Sequence, residues 1–299
     1  MDFYKLVPVE SDPVAYFVPV FILLIVIEAV LSQFYHKEYY LKKDALASLA
    51  MGIGSVFINL LMKGIAFAVY LKLYEHRLFD IGWHWWAWLL LFFLDDLTFY
   101  IHHRTSHEVR ILWAAHVNHH SSEYMNLATA LRQSWTELLY KYFFWLWLPL
   151  VGFPPLMIFT MISISLIYQF WVHTEFIKKM PSWFEFIFNT PSHHRVHHAS
   201  NIRYLDRNHA GILIIWDKIF GTFAEENAEE KPIYGITTNI HTYNPFKIAT
   251  HEFFAIANDV KRAPTFKEKI MYIFMPPGWS HDGEDQRATT LRNKLLKKD

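Results

Sequence analysis

The chain has 299 residues, of which 53% are apolar and 19% charged, and its 28 Lys+Arg balance its 28 Asp+Glu. This composition excludes a disordered, acidic-tail or fibrous protein, and zero net charge without a long basic run argues against nucleic-acid binding. The absence of Cys excludes disulfides, Cys-ligated zinc, iron–sulfur clusters and thiol nucleophiles. Any bound metal must therefore be held by His or carboxylate, and the chain has 18 His.

Apolar segments dominate the first half of the chain. They lie at about 14–32, 46–73, 85–101, 138–151 and 154–172. Most approach the roughly 20 apolar residues that a helix needs to cross a bilayer. Gly152, Pro154 and Pro155 separate the last two segments, so we expect these to form a helical hairpin.

Two further features bear on these segments. The first separates membrane helices from buried helices of a soluble protein, and the second concerns a signal peptide. Trp residues cluster near the segment ends, which is typical of an interfacial belt and favours membrane helices. Asp2, Glu10 and Asp12 precede the first segment in place of a basic stretch, so we expect an anchor and not a cleavable signal peptide.

Short basic loops set the expected orientation. They contain Lys37, Lys42 and Lys43 after the first segment, and Lys178 and Lys179 after the fifth. The positive-inside bias places both loops on the cytoplasmic side, of an endoplasmic reticulum or a bacterial inner membrane alike. An even number of crossings then puts residues 102–137 and 173–299 on that same side.

We therefore predict one all-α domain over residues 1–299. It is a multi-pass integral-membrane helical bundle with a cytosolic, His-rich helical cap, and the cap carries the catalytic part of the chain. Short extended pieces are expected only around residues 210–215 and 233–238.

The histidines of the cap show the spacing of metal ligands. The groups are His103 and His107; His116, His119 and His120; the single His173; and His194, His197 and His198, with His193 beside them. Positions i, i+3 and i+4 are neighbours on one helix face, so each group can direct its imidazoles at one point. Asp96, Tyr100, His103 and His107 also fall within about a 60° arc of one helix.

One geometric condition follows from this spacing. His107 and His116 are nine residues apart, which puts them on opposite faces of a continuous helix. If both serve one site, the helix must break between them, although no Pro or Gly lies there.

The number of histidines indicates two ions. Nine imidazoles exceed the four to six ligands of a single ion, and imidazole suits Zn, Cu, Fe and Ni alike. Six other histidines are expected to be ordinary surface or core residues: His36, His76, His84, His241, His251 and His281.

These motifs resemble a known family. They are Tyr100-x2-His103-Arg104-x2-His107-Glu108, Leu112-Trp113-x2-His116-x2-His119-His120-Ser121-Ser122-Glu123, Asn126-Leu127-x-Thr129-Ala130-Leu131-Arg132-Gln133-Ser134, Tyr168-Gln169-Phe170-Trp171-x-His173-Thr174-Glu175, Asn189-Thr190-Pro191-Ser192-His193-His194-Arg195-Val196-His197-His198, and Ile215-Trp216-Asp217-Lys218-Ile219-Phe220-Gly221-Thr222-Phe223. Over roughly residues 85–245 the pattern resembles the fatty acid hydroxylase/sterol desaturase superfamily of integral-membrane di-iron oxygenases. Within it, the pattern is most similar to the alkylglycerol monooxygenase branch.

The resemblance implies two Fe ions that activate O2 and insert one oxygen atom into a C–H bond of a lipid. In the alkylglycerol branch the attacked carbon is next to the ether oxygen, and electrons come from a tetrahydropterin. Two irons supply two electrons, whereas zinc has no redox chemistry. The sequence lacks the His-Pro-Gly-Gly motif of a fused cytochrome b5 domain and the further C-terminal apolar segments of the animal enzymes. Electrons are therefore expected from a separate donor protein or a diffusible cofactor.

The resemblance also implies roles for particular residues. The nine histidines of these groups are expected to bind the metal ions directly. His193 is expected to be a tenth ligand or to lie beside the ligands. Carboxylates expected to hold the imidazoles are Asp96, Glu123, Glu175 and Asp217. Glu108, Asp96 and Tyr100 are the expected catalytic residues, and Glu108 could also accept two hydrogen bonds from a pterin.

Competing hypotheses make different demands on the chain. Within the oxygenases, the alternative is a fatty-acid or sterol-type hydroxylase or desaturase. A His-rich metal transporter would place its ligands near the middle of the bilayer, whereas these histidines lie at segment ends. A zinc peptidase would need His-Glu-x-x-His, but Val109, Arg110 and Ile111 follow Glu108. A bis-His haem protein would need isolated histidines on facing helices.

Overall fold

Helices form the regular structure of residues 12–297, the part of the chain that the computed structural model describes. Asp2 and Glu10, on which the anchor prediction partly rests, lie outside this part. Between residues 12 and 297 no strand is formed. Isolated antiparallel bridges join Phe188 to Leu213 and Ala199 to Tyr234, and one partner of each, Leu213 and Tyr234, falls in a stretch where an extended piece was expected. The predicted all-α class is confirmed.

The α-helices follow one another along the described chain, with the longest connections between α4 and α5, α8 and α9, and α9 and α10. They are α1 (Pro13–Phe34), α2 (Lys42–Tyr74), α3 (Trp85–Glu108), α4 (Arg110–His120), α5 (Trp147–Val151), α6 (Pro155–Trp171), α7 (Ser182–Ile187), α8 (Pro191–His197), α9 (Ile215–Ile219), α10 (Pro245–Arg262), α11 (Phe266–Phe274) and α12 (Ala288–Leu296).

Two helices of residues 12–297, α1 and α2, are long and apolar enough to cross a membrane. Only 6% of the most apolar window of α1 and 22% of that of α2 is buried inside the protein. Leu23 of α1 and Phe57 and Leu61 of α2 are among the exposed apolar side chains. A helix that is apolar all round must be covered by protein or by lipid, and protein covers little of these two.

The third and fifth apolar segments also form helices, but the fourth does not. α3 extends past the predicted end at residue 101, and α6 is a shorter apolar helix of 17 residues. The prediction of a membrane helix over 138–151 is wrong, since 3-10 turns at Glu137–Leu139 and Lys141–Trp145 precede the five-residue α5. In place of the expected hairpin of two helices around Gly152, the chain therefore forms the short helix α5 followed by α6.

Local chemistry and tertiary contacts explain this irregular segment. Pro149 removes a backbone donor from the helical pattern. The Tyr142 hydroxyl donates to Asn59 Oδ1 at 2.7 Å, and the Trp145 indole N–H donates to Asp95 Oδ1 at 2.7 Å. These bonds fix the segment between α2 and α3, where Trp145 joins Leu91, Met157 and other buried side chains of the main apolar core.

The helix break required between His107 and His116 is present. α3 ends at Glu108, Val109 is extended with φ −119° and ψ 115°, and α4 begins at Arg110. The Arg110 guanidinium pairs with Glu252 and Asp259 of α10 at 2.8 Å each, and its backbone N–H donates to Met275 O at 3.2 Å. Long-range contacts hold this corner, which explains why the local sequence carries no helix breaker.

Candidate metal centre

Nine buried imidazoles converge into two adjoining groups. The five-histidine group is His103, His107, His116, His120 and His197, and the four-histidine group is His119, His173, His194 and His198. In each group, one ligand atom from every residue lies within 4.8 Å of the others. The two groups touch, because the His120 and His198 rings stack with centroids 4.4 Å apart.

Four separate chain segments bring these imidazoles together. The end of α3 supplies His103 and His107, and α4, turned back at Val109, supplies His116, His119 and His120. His173 follows the end of α6. The short helix α8, which begins at Pro191, contributes His194 and His197, and His198 follows at its end. α4 and α8 each contribute to both groups, so a displacement of either helix would disturb both.

Hydrogen bonds donated by Nδ1–H fix the orientation of several imidazoles in the five-histidine group. His103 Nδ1 lies 2.8 Å from His209 O, and His197 Nδ1 lies 2.9 Å from Arg207 O. His116 Nδ1 lies 3.0 Å from Glu137 Oε2. Because carbonyl and carboxylate oxygens only accept, Nδ1 must carry the proton in each ring, and Nε2 is left as a lone-pair donor.

The four-histidine group brings Nε2 atoms directly against one another. His173 Nε2 lies 3.1 Å from His119 Nε2 and 2.8 Å from His194 Nε2, and His194 Nε2 lies 3.1 Å from His198 Nε2. His173 Nδ1 donates to Gln169 O at 2.8 Å, which leaves its Nε2 without a proton. One neutral imidazole proton cannot satisfy several such contacts at once.

The arrangement of the ring nitrogens fits bound metal ions better than a network of hydrogen bonds between imidazoles. His107 Nε2, His120 Nε2 and His197 Nε2 are buried and have no hydrogen-bond partner in the described chain. Buried polar atoms without partners are costly and point to a missing water or ion. With metal–nitrogen bonds of roughly 2.1 Å, opposite ligands of one ion are about 4 Å apart, close to the observed spread. Each group can therefore hold one ion.

Burial favours the neutral form of imidazole, which is the form that binds metal, at several of these histidines. Burial, together with neighbouring imidazoles, lowers the pKa of His107, His120 and His197 well below its usual value. Burial likewise lowers the pKa of His173 to about 4. A cation is then bound without first displacing protons from these rings at neutral pH.

Two buried aspartates hold the loop that follows α8. Asp96 accepts from the backbone N–H groups of Ile212 and Leu213 at 2.8 and 2.9 Å. Asp217 accepts from the N–H groups of His209 and Ala210 at 2.8 Å each. Both carboxylates thus act on the loop backbone and touch no ligand ring directly, but the His209 carbonyl of that loop orients His103.

The same loop passes close to α3 at Gly211. A Cβ atom there would lie 2.8 Å from Phe99 Cδ1. Phe99 in turn packs against His103, with ring centroids 5.2 Å apart. Only glycine lets the loop approach α3 this closely.

Tyr100 and Glu108, the other expected catalytic residues, both lie on α3 and both bond to Arg104. The Tyr100 hydroxyl is 2.9 Å from Thr222 Oγ1 and 3.3 Å from Arg104 Nη1. Glu108 accepts from Arg104 Nε at 2.8 Å, and 45% of its side chain is exposed. These two residues are thus linked through Arg104 outside the two groups.

The remaining sequence candidates have other partners. Glu123 lies 3.8 Å from His241, and Glu175 pairs with Lys178 at 3.0 Å. His193 is buried but belongs to neither group, and its Nε2 lies 3.8 Å from Glu185.

Glu137, His102 and His209 lie near the centre and were not predicted from the sequence. Glu137 faces His116 and also lies 3.4 Å from His102 Nε2. Although desolvation opposes it, the imidazoles of His116 and His102 hold the pKa of Glu137 well below its usual value. His209 is fully buried, its ring centroid is 4.9 Å from that of His107, and both its ring nitrogens lack partners among the described residues. No local spacing relates Glu137 or His209 to the ligand motifs.

Comparison with known proteins agrees with this site. Residues 88–222 match the fatty acid hydroxylase family. Alkylglycerol monooxygenase of Homo sapiens is 41% identical over 292 residues, covering 93% of this chain and 64% of the human protein. The Xenopus tropicalis enzyme is 39% identical with the same coverages, and the Danio rerio enzyme is 40% identical over 88% of this chain and 58% of its own length. No solved structure matches the chain.

The matched region contains the centre almost entirely. It runs from α3 to Thr222 and so includes all nine imidazoles of the two groups. The chain spans just under two thirds of the length of the human and Xenopus relatives.

Proposed function

We propose that the chain, whose residues 88–222 match the fatty acid hydroxylase family, is a membrane-bound, O2-dependent monooxygenase that hydroxylates a lipid at a two-iron centre. The observation that carries this proposal is the pair of buried, convergent imidazole groups. Iron at these groups would supply the redox chemistry that activates O2, which zinc cannot.

The histidine-only donor set favours an enzyme over a metal carrier. Each imidazole is buried, and the ligands come from helices held by long-range contacts such as Arg110–Glu252. A site that releases its ion to a transport path needs mobile or exposed ligands, whereas this arrangement retains the ion.

We propose an ether lipid of the alkylglycerol type as the substrate, attacked at the carbon next to the ether oxygen. The support is that the relatives about 40% identical over most of this chain are alkylglycerol monooxygenases. A free fatty acid or a sterol-type lipid is the alternative, since the family match alone names only fatty acid hydroxylation.

The protein's own groups would orient the metals and exclude water. Carbonyl groups of His209, Arg207 and Gln169 would each hold one ligand ring by accepting from its Nδ1–H. Asp96 and Asp217 would keep the first two carbonyls in place through the loop backbone. The complete burial of the centre would keep bulk water from the reacting C–H bond.

The reductant is proposed to be a tetrahydropterin or a separate electron-donor protein. Glu108 remains our proposed pterin contact, because its carboxylate is half-exposed and already binds a planar guanidinium, that of Arg104. A pterin would have to compete with Arg104 for the same oxygens. If Glu108→Gln changes neither activity nor pterin affinity, this role is excluded.

The membrane arrangement is proposed to be multi-pass, with the centre on the cytoplasmic side. α1 and α2 provide two candidate spans. The apolar parts of α3 and α6 pack with α2 in the main core, and α1 packs against Phe170 of α6. The whole of residues 1–299 would then act as one domain with a membrane half and a cytosolic half.

Turnover under 18O2 tests the proposed reaction. The purified, iron-loaded protein is given an alkylglycerol or a free fatty acid, with and without tetrahydropterin, and the aldehyde is trapped by rapid reduction. Hydroxylation next to the ether oxygen predicts 18O in the trapped alcohol. Label in a hydroxy fatty acid would instead support the alternative substrate, and label in neither product would contradict the proposal.

A further inference from the structure

Glu137 is a carboxylate at the metal centre that the ligand motifs do not contain. It begins the 3-10 turn Glu137–Leu139, and 16% of its side chain is exposed. One carboxylate oxygen lies 3.0 Å from His116 Nδ1, and the other lies 3.4 Å from His102 Nε2. His102 is itself buried, so each carboxylate oxygen lies near a buried imidazole.

The backbone of Glu137 is tied to the helix that carries His116. Its N–H donates to Ser134 Oγ at 3.2 Å, and the same oxygen accepts from Asn118 Nδ2 at 3.2 Å. Asn118 lies on α4 between His116 and His119. The carboxylate therefore keeps a fixed position relative to the ring it contacts.

This contact differs from those of the other imidazoles in the five-histidine group. His103 and His197 donate to backbone carbonyls, which are neutral. Asp206 lies 3.4 Å from His107 Nδ1, a longer contact than the 3.0 Å of Glu137 and His116. Glu137 thus brings the closest negative charge to a ligand set made otherwise of neutral rings.

We propose that Glu137 is a positioning residue that holds His116 with Nε2 facing the centre and strengthens metal binding at the five-histidine group. The inference rests on the proposed metal centre. A carboxylate that accepts from Nδ1–H fixes the ring orientation and raises the basicity of Nε2, and its negative charge offsets part of the charge of a dication. No hydrogen bond or ion pair joins Glu137 to the four-histidine group, where its charge acts at longer range on His119, so little change is expected there.

Two variants separate hydrogen bonding from charge. Glu137→Gln keeps an acceptor oxygen and removes the charge, and Glu137→Leu removes both. Loss of such an outer contact typically lowers metal affinity about 10- to 100-fold. We expect about 10-fold for Glu137→Gln and a larger loss for Glu137→Leu, both confined to one of two binding steps.

The experiment is a Co²⁺ titration of the metal-stripped full chain in detergent, against a chelator, followed by its visible absorption. Glu268→Gln is the control, because that carboxylate caps α11 and accepts from Thr265 away from the histidines. His173→Ala identifies the four-histidine step, and His103→Ala the five-histidine step. Melting temperatures show whether each variant is folded.

Several outcomes are decisive. The inference predicts that Glu137→Gln weakens the remaining step in a His173→Ala background and has little further effect in a His103→Ala background. Equal weakening of both steps, or no weakening beyond that of Glu268→Gln, overturns it. A wild-type chain that binds no Co²⁺ at all contradicts the proposed metal centre itself, which is a different and recognisable failure.

Discussion

The histidine centre and the first two helices distribute polarity in opposite ways. In the centre, nine imidazoles and several carboxylates are buried, where polar groups need partners or ions. Along α1 and α2, large apolar side chains such as Leu23 and Phe57 are exposed, where water would disfavour them. We propose that metal ions partner the buried imidazoles and that lipid covers the exposed apolar side chains. Each prediction below removes one of these components or a contact that depends on it.

Removal of a ligand should have the largest effect. His107→Ala or His194→Ala is expected to lower activity by more than the roughly 100-fold typical of losing an outer contact, because the ring itself is gone. Metal content should fall with activity. His84→Ala is the control, since His84 is exposed and stacks on Trp86. Retention of full metal content in His107→Ala would show that the convergence of rings is not a metal site.

Acid should destabilise the metal-free protein strongly. An unfolded His has a pKa near about 6.5, whereas burial lowers the pKa of His107, His120 and His197 well below that value. Below pH about 6.5 the unfolded chain then binds more protons, so the free energy of unfolding falls as pH falls, by up to about 1.4 kcal/mol per pH unit for each ring.

Protonation of two buried carboxyls has the opposite effect on the free energy of unfolding as the pH falls. Burial raises the pKa of Asp206 and Asp217 to about 6, so the folded chain takes up their protons first and gains stability as pH falls. The imidazoles outnumber them, and a net loss is expected. The check is the midpoint of denaturant unfolding from pH 8 to pH 5. Stability that is flat or rising on acidification would contradict a neutral imidazole cluster.

A charge on the exposed face of α2 should impair membrane integration. Phe57 is 72% exposed near the middle of α2, and a carboxylate at the centre of a spanning helix costs about 3 kcal/mol. Phe57→Asp should therefore reduce the carbonate-resistant membrane fraction, while Phe57→Leu should not. If α2 faced water, the same substitution would change stability by only about 0.5 kcal/mol and leave the fraction unchanged.

Weakening the loop support should have the smallest effect of the set. Asp96→Asn keeps the size of the side chain but replaces one acceptor oxygen among three bonds, to the N–H groups of Ile212, Leu213 and the Trp216 indole. We expect a loss of about 2 kcal/mol in the free energy of unfolding. Asp80→Asn, at an exposed pair with Arg77, should cost less than about 1 kcal/mol. Equal losses in the two variants would remove the role assigned to Asp96.

The ligand set was predictable from sequence because helical spacing is a local property. His116, His119 and His120 share one face of α4 whatever surrounds them, and the count of nine indicated two groups of imidazoles, which the structure contains. The sequence required a helix break between the ligand groups but did not show where it lies. The break at Val109 depends on bonds from Arg110 to Glu252 and Asp259, about 140 residues further on. Glu137 escaped prediction for the same reason, as its contact with His116 spans 21 residues without a helical relation.

The membrane half was less predictable in detail than the centre. Apolar composition identified α1, α2 and α6, but the fourth segment, at 138–151, is equally apolar and forms 3-10 turns. Its conformation depends on the bonds of Tyr142 to Asn59 and of Trp145 to Asp95. Hydropathy detects burial or lipid contact, and it does not detect such side-chain bonds.

An anomalous difference map at the iron edge, from crystals of the iron-loaded chain, tests the central claim most directly. The account predicts two peaks, one surrounded by His103, His107, His116, His120 and His197, and the other by His119, His173, His194 and His198. A single peak, or peaks away from both groups in a fully active protein, would contradict it.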